Sequence, residues 1–391
     1  MAWSRLRPTA RWTIGLGLPA LLLALAWQRA DPQAGAALLA GAGPLLLLAP
    51  LPFAGVLVLD ALGWRLLLVR DATRRVSLQD AFAARVAGEA VAQTLPSAGI
   101  AGEAASAWLL ARRTNVPLGQ AIGGLAVRRL LLAPGHGIVL ASAALAAASL
   151  PAVPGGWVAT LGASATALLV AAAAGARLIS RAAPFRRLQG ALSRSPWTRL
   201  REWTRVQSVG LSEADREAER LLAGPWRRRA AAGACFTLVF VAEVGETLFL
   251  LRLLGAAVTP AQVLAFEPLV SLARATVFFV PAGLGVQDLG YLSLLHLLGI
   301  PNAAALGAAF VFLKRLKELL WSGAGWSLLL TSEARVPSAH HPPACQASGV
   351  TASRQPGEAG VEPGAAEDPL HLRVHEPDHA DAPDRARAVG A

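Results

Sequence analysis

The chain is short of charge. Asp, Glu, Lys and Arg make up 16% of its 391 residues, against about 25% in ordinary soluble domains, while 54% is hydrophobic. An ordinary water-soluble fold is thereby excluded. Cysteine is also scarce: Cys235 and Cys345 cannot build a disulfide framework, lack metal-site spacing and say nothing of function. Enzyme signatures are missing as well. There is no H-E-x-x-H, no G-K-[ST] phosphate loop and no G-x-S-x-G elbow. "GLGVQDLG" at 283–290 departs from G-x-G-x-x-G and follows no strand, which removes the dinucleotide reading. No metal and no cofactor is expected, and His136 and His296, each alone in apolar surroundings, suit structural roles.

What is abundant is uninterrupted apolar sequence. Ile14–Gln28, Ala34–Leu59, Leu130–Ala176 (with a Pro/Gly break at 151–156) and Ala230–Leu251 each accommodate one or two membrane spans. Arg5, Arg7 and Arg11 precede an apolar stretch ending in "ALA" at 24–26, a pattern shared with cleaved signal peptides. The close succession of further spans favours an uncleaved first span. The formal charge of +11 does not imply nucleic acid, because the arginines gather in loops beside the spans, where they report topology. Arg65, Arg70, Arg74 and Arg75 mark a cytoplasmic loop, and 177–229, with 13 arginines against five carboxylates, reads as the main one. In it Trp197 and Trp203 stand among Arg199, Arg201 and Arg205, suiting either a headgroup surface or a solvated loop. From about 333 the sequence turns rich in Pro, Ala, His and acids, as in a disordered cytoplasmic tail, and holds five of the seven histidines.

Two regions are too interrupted to be simple spans. The first, about 81–111, contains Arg85, Glu89 and Glu103 and breaks at "LPSAGIAG". The second, about 261–300, contains Glu267, Arg274 and Asp288 and breaks at "VPAGLG". The interval from Pro96 to Glu103 equals that from Pro281 to Asp288. Each unit then meets a second proline, Pro117 or Pro301, and enters a long helix bearing Arg128–Arg129 or Lys314–Arg315. Arg129 follows Pro96 at the same interval at which Lys314 follows Pro281. The order predicts an internal repeat of re-entrant hairpins, tolerated only where protein or a wet cavity covers the broken backbone. Counting spans inverts the second unit relative to the first, as in many transporters whose sites lie where broken elements meet at the midplane.

An ionisable group in mid-membrane costs roughly 2.5–3.5 kcal/mol on insertion scales, so these bases require carboxylate partners. Glu103 and Asp288 are the candidates, as partners or proton carriers, with Glu243, Glu246 and Glu267 as supporting acids. One reading is a set of structural ion pairs. The other is a polar cavity in which Arg128, Arg129, Lys314, Arg315 and Gln287 contact an anionic or zwitterionic headgroup. In that case Pro96, Gly99, Gly102, Pro281, Gly283 and Gly285 form the hairpin tips. The half-helices that follow them present free backbone N–H groups to an anion.

The segment "FFVPAGLGVQDLGYLSLLHLLGIPNAAALGAAFVFLKRLKELLWSGAGW" resembles the C-terminal signature of the lysylphosphatidylglycerol synthase transmembrane-domain family. Within it, the hopanoid-biosynthesis-associated HpnL subgroup is the nearest likeness. "LPSAGIAGEAASAWLL" and "AVRRLLL" are similar to the family's first motif, and Glu246 and Glu267 fall where the subgroup has acids. The family's usual Glu after Val-Gln is Asp288 here, which keeps the charge and shortens the reach. The resemblance implies the lipid-flipping membrane part of a two-part synthase. The polar tail is too short to be the soluble aminoacyl-transferase domain, so synthase activity is not implied.

The expectation is an all-α integral membrane protein of about six full spans and two inverted hairpins within 1–332, followed by the tail 333–391. It would lie in a bacterial cytoplasmic membrane with both termini inside. It would bind or move a hopanoid or polar phospholipid, alone or beside lipid-biosynthesis proteins. The rival expectations are a membrane-embedded lipid-modifying enzyme and a non-catalytic subunit.

Overall fold

The computed structural model describes residues 21, 24–68, 76–95, 98–194, 202, 208–276 and 280–334. Among them every regular element is a helix. In chain order these are α1 (Pro32–Ala42), α2 (Leu51–Leu68), α3 (Leu78–Thr94), α4 (Ala98–Arg113), α5 (Leu118–Ala148) and α6 (Gly155–Ala182). There follow α7 (Pro184–Leu192), α8 (Ser208–Ala223), α9 (Trp226–Leu253), α10 (Pro260–Thr276), α11 (Val286–Leu297) and α12 (Ala303–Ala334). Four stretches are long and apolar enough to cross a membrane: Pro32–Leu68, Leu118–Ala148, Gly155–Ala182 and Trp226–Leu253. The protein is an all-α membrane protein.

Local chemistry sets the boundaries. Ser77 caps α3 by accepting from Asp80 N at 3.0 Å, and Asp31 caps α1 by accepting from Ala34 N at 3.0 Å. Pro117, Pro154 and Pro225 each stand immediately before a long helix, where a missing N–H costs nothing. α3 ends at Leu95, whose extended backbone is the conformation a following proline imposes.

The second apolar run is not one straight span. Gly43, at φ 55, ends α1, a 3-10 turn covers Gly43–Leu48, and α2 begins at Leu51. Prolines 44, 50 and 52 break the α-helical ladder there. The expected basic loop 177–229 is also largely helical. α6 runs on to Ala182, and Asp215 of α8 accepts from the N–H groups of Phe185 and Arg186 at the start of α7. Trp197 and Trp203 lie outside the described residues, as do the tail and its histidines.

Both interrupted regions fold as antiparallel helical hairpins. In α3–α4, Asp80 pairs with Arg113 at 2.9 Å, and Arg85 donates to Ser106 at 3.0 Å. A Cβ on Gly88 would come within 1.9 Å of Ser106 Oγ, so only glycine permits this approach. In α10–α11, Glu267 meets Tyr291 and Arg274 lies against Gly283. α2 and α9 pack antiparallel: Phe53, Val56 and Leu57 meet Val239, whereas Gly63 and Leu67 meet Phe236. α3 lies along α12, with Val86 and Ala90 against Gly325, while α10 lies along α5, where His136 Nε2 is 2.8 Å from Pro268 O. His136 also stacks on Phe240, which ties α5, α9 and α10 together.

Candidate functional site

Two clusters of ionic side chains sit inside this apolar bundle. The first draws on α2 to α5. Arg128 holds Asp60 bidentately, Nε to Oδ1 at 2.7 Å and Nη2 to Oδ2 at 2.6 Å, and its Nη1 donates to Glu103 at 2.9 Å. Arg85 donates to Asp60 at 2.8 Å and stands 3.5 Å from Glu103. Arg129 reaches the same Glu103 at 2.7 Å, but its side chain is 57% exposed whereas that of Arg128 is 5% exposed. Three guanidiniums therefore serve two carboxylates, a fixed array of charge-assisted bonds.

The second cluster draws on α9 to α12 and is built differently. The chain's only two lysines, Lys314 and Lys317, both converge on Glu246, Lys314 at 3.1 Å. Lys314 is also 3.7 Å from Glu267 Oε1, which accepts from the hydroxyl of Tyr291, the only tyrosine, at 2.9 Å. Glu243 accepts from Ser271 at 2.9 Å and lies 3.9 Å from Arg274. Lys317 rests over the ring of Phe53, reached from α2, at 4.2 Å.

Arg315 fixes the second hairpin tip. It donates to Asp288 Oδ1 at 2.6 Å, to Ala282 O at 3.1 Å and to Glu318 at 2.6 Å, while Asp288 Oδ2 accepts from Gly285 N at 2.9 Å. The carbonyls and amides are aimed this way because Ala282, Gly283 and Gly285 all adopt positive φ. Pro281 opens the 3-10 turn. At the first tip Pro96 lies outside the described residues. Gly99 sits near Arg129, and Gly102 lies deeper, where a Cβ would be 2.5 Å from Gly88 O.

A cavity of about 20 Å³ opens in the second cluster, room for a single water. Glu243, Glu246, Glu267, Arg274, Gln287, Tyr291, Lys314 and Lys317 line it together with Phe53, Val270 and Ser271. In this conformation it is too small for a lipid headgroup.

The family is now decidable, because the lysylphosphatidylglycerol synthase TM region family matches residues 12–313. The chain belongs to that family. It is thus a multi-pass membrane protein tied to lipid metabolism. The family match spans the first cluster, both hairpins and the acids of α9 and α10, and stops immediately before Lys314. No curated protein and no solved structure matches the chain.

The structure corrects one spacing argument. The interval from the tip proline pairs Arg129 with Lys314, but the contacts pair Arg128 with Lys314, each buried on an acid of the preceding long helix. Arg129 and Arg315 then correspond, each holding its own hairpin's acid. On this alignment Asp60 with Glu246, Arg128 with Lys314 and Arg129 with Arg315 all share a single sequence offset. Glu103 and Asp288 are each paired within their own half of the chain. Arg128 and Arg129 are not a buried pair, since adjacent helical residues point about 100° apart and only the first faces inward.

Sequence reasoning missed Asp60, Lys317, Glu318 and Tyr291. Asp60 is the sole acid in "LPFAGVLVLDALGWRLLL", just beyond the edge assigned to the apolar run. A lone acid in such a run is itself a signal.

Proposed function

We propose that this protein binds a polar lipid and moves it between leaflets. The observation that carries this reading is the pair of buried ion clusters, in which Asp60, Arg128 and Arg129 match Glu246, Lys314 and Arg315 at one sequence offset, in a chain of a lipid-synthase membrane family. Buried charge is costly in a bundle held by apolar packing alone, so its repetition favours a polar path. The antiparallel packing of α2 on α9 and the reciprocal packing of α3 on α12 and α10 on α5 support an inverted repeat, with the hairpins as re-entrant elements.

Arg129 is the headgroup contact best supported, being exposed beside Gly99 in the first turn of α4. There a guanidinium and helix N–H groups suit a phosphate. Arg128, Lys314, Arg315 and Gln287 would meet the headgroup only after the hairpins part from α5 and α12, since the cavity has room for one water. We place the protein in a bacterial cytoplasmic membrane with both termini inside. The cargo is a hopanoid or a phospholipid, as the likeness to the HpnL subgroup suggests, and lipid-biosynthesis proteins are candidate partners.

Purified protein in vesicles carrying labelled lipid tests this. Wild type should move label across the bilayer, and Arg129→Ala and Asp288→Asn should slow it at least tenfold. Covalent change in the lipid would replace the reading with a lipid-modifying enzyme. Neither movement nor change would leave a non-catalytic subunit.

A further inference from the structure

The second cluster contains an unsatisfied carboxylate, Glu267, that the lipid reading does not use. Glu267 is 2% exposed and Gln287 4% exposed, and among the described residues Glu267 Oε2 and Gln287 Oε1 have no hydrogen-bond partner. The hydroxyl of Thr247, fully buried on α9, makes no well-formed hydrogen bond but stands close enough to Glu267 to donate to it. Orphan polar atoms in an apolar interior are costly, and here a carboxylate oxygen of α10 and an amide oxygen of α11 line one cavity.

What would satisfy them is a donor. Glu267 Oε1 already has the Tyr291 hydroxyl and Lys314. Its other oxygen has neither a hydrogen-bond donor nor an ion-pair partner within bonding distance among the described residues. The groups around it are Glu243, Glu246 and Thr247 on α9, Ser271 and Arg274 on α10, Gln287 and Tyr291 on α11, and Lys314 and Lys317 on α12. With Asp288, Arg315 and Glu318 the cluster holds five carboxylates against four bases, an excess of one negative charge. Both bases nearest Glu267 and Glu246 are lysines, which unlike arginine can also exchange protons.

We infer that Glu267 is a proton-binding site: its carboxylate takes one proton from water in the adjoining cavity and releases it the same way. The proton forms an O–H bond at Oε2, hydronium becoming water, and that hydroxyl then donates to Gln287 Oε1 or Thr247 Oγ1. Lys314 keeps Glu246 as its counter-ion in both states. The inference stands whether or not the cargo is a lipid. It assigns to Glu267 the proton-carrying role that spacing alone suggests for Glu103 and Asp288.

Infrared difference spectroscopy of the full chain in lipid nanodiscs, on stepping from mildly alkaline to mildly acidic buffer, tests it. Wild type should show one buried protonated-carboxyl band that shifts when glutamate is carbon-13 labelled. Glu267→Gln should lose that band, and Glu103→Gln should keep it. Glu267→Asp in label-grown protein should restore a band without the isotope shift, which guards against a misfolded Gln variant. Absence of a titrating band in wild type overturns the inference. So does a band that survives in Glu267→Gln, or one that keeps its isotope shift in Glu267→Asp.

Discussion

Residues 51–148 and 226–334 place an acid, a hairpin and a base in the same order, yet the two halves use different chemistry. In the first, Asp60 and Glu103 are held by Arg85, Arg128 and Arg129, and each Asp60 oxygen accepts from a guanidinium. In the second, Glu246 and Glu267 share Lys314, with Lys317 and Tyr291 nearby; each half leaves one carboxylate oxygen without a hydrogen bond among the described residues, Glu103 Oε2 and Glu267 Oε2. Guanidinium forks make a permanently charged clamp that keeps a cation beside both Glu103 oxygens, whereas the ammonium and phenol groups reach only one oxygen of Glu267. Gln93 on α3, which donates to Glu89, accepts from Ser322 of α12 at 3.0 Å, so polar contacts also cross between the halves.

That contrast can be broken first by stability. Arg128→Leu strips Asp60 of its bidentate partner and should cost about 3–5 kcal/mol, read as a fall in thermal unfolding midpoint in detergent. Lys314→Met leaves Lys317 on Glu246 and should cost less, about 1–3 kcal/mol. Equal losses would mean that the halves are not distinguished as argued. The hairpins differ next. Gly88→Ala drives a Cβ into Ser106 and should destabilise by about 1–3 kcal/mol. Gly290→Ala meets only Val270 at 3.6 Å and should be neutral or gain up to about 1 kcal/mol in helix propensity. The smallest stability effect belongs to Arg129→Ala, within about 1 kcal/mol, because Arg129 is more than half exposed and Glu103 keeps Arg128 as its partner. A large loss there would make Arg129 a structural clamp and weaken its assignment to the headgroup.

Much of this was legible in the chain. Apolar runs located the long helices because a membrane-length stretch of low charge has few other uses. The Pro/Gly breaks at 95–97 and 280–285 located both hairpin tips, since proline and positive φ interrupt a helix wherever they fall. The break between α1 and α2 was missed because Pro44, Pro50 and Pro52 sit in sequence that is otherwise all apolar. Partnership was harder. Asp60 with Arg128, and Glu246 with Lys317, are contacts across so much intervening chain that no local spacing rule spans them.

The sequence by itself determined an all-helical membrane protein with two broken, charge-bearing hairpins, because hydropathy, proline and glycine act locally and need no partner. Only the tertiary structure decided which of two adjacent bases is buried, which acid each one holds and which carboxylate oxygen is left without a cation beside it. Those outcomes depend on the faces that α2, α5, α9 and α12 turn toward one another. Packing fixes those faces through contacts between residues far apart in the chain.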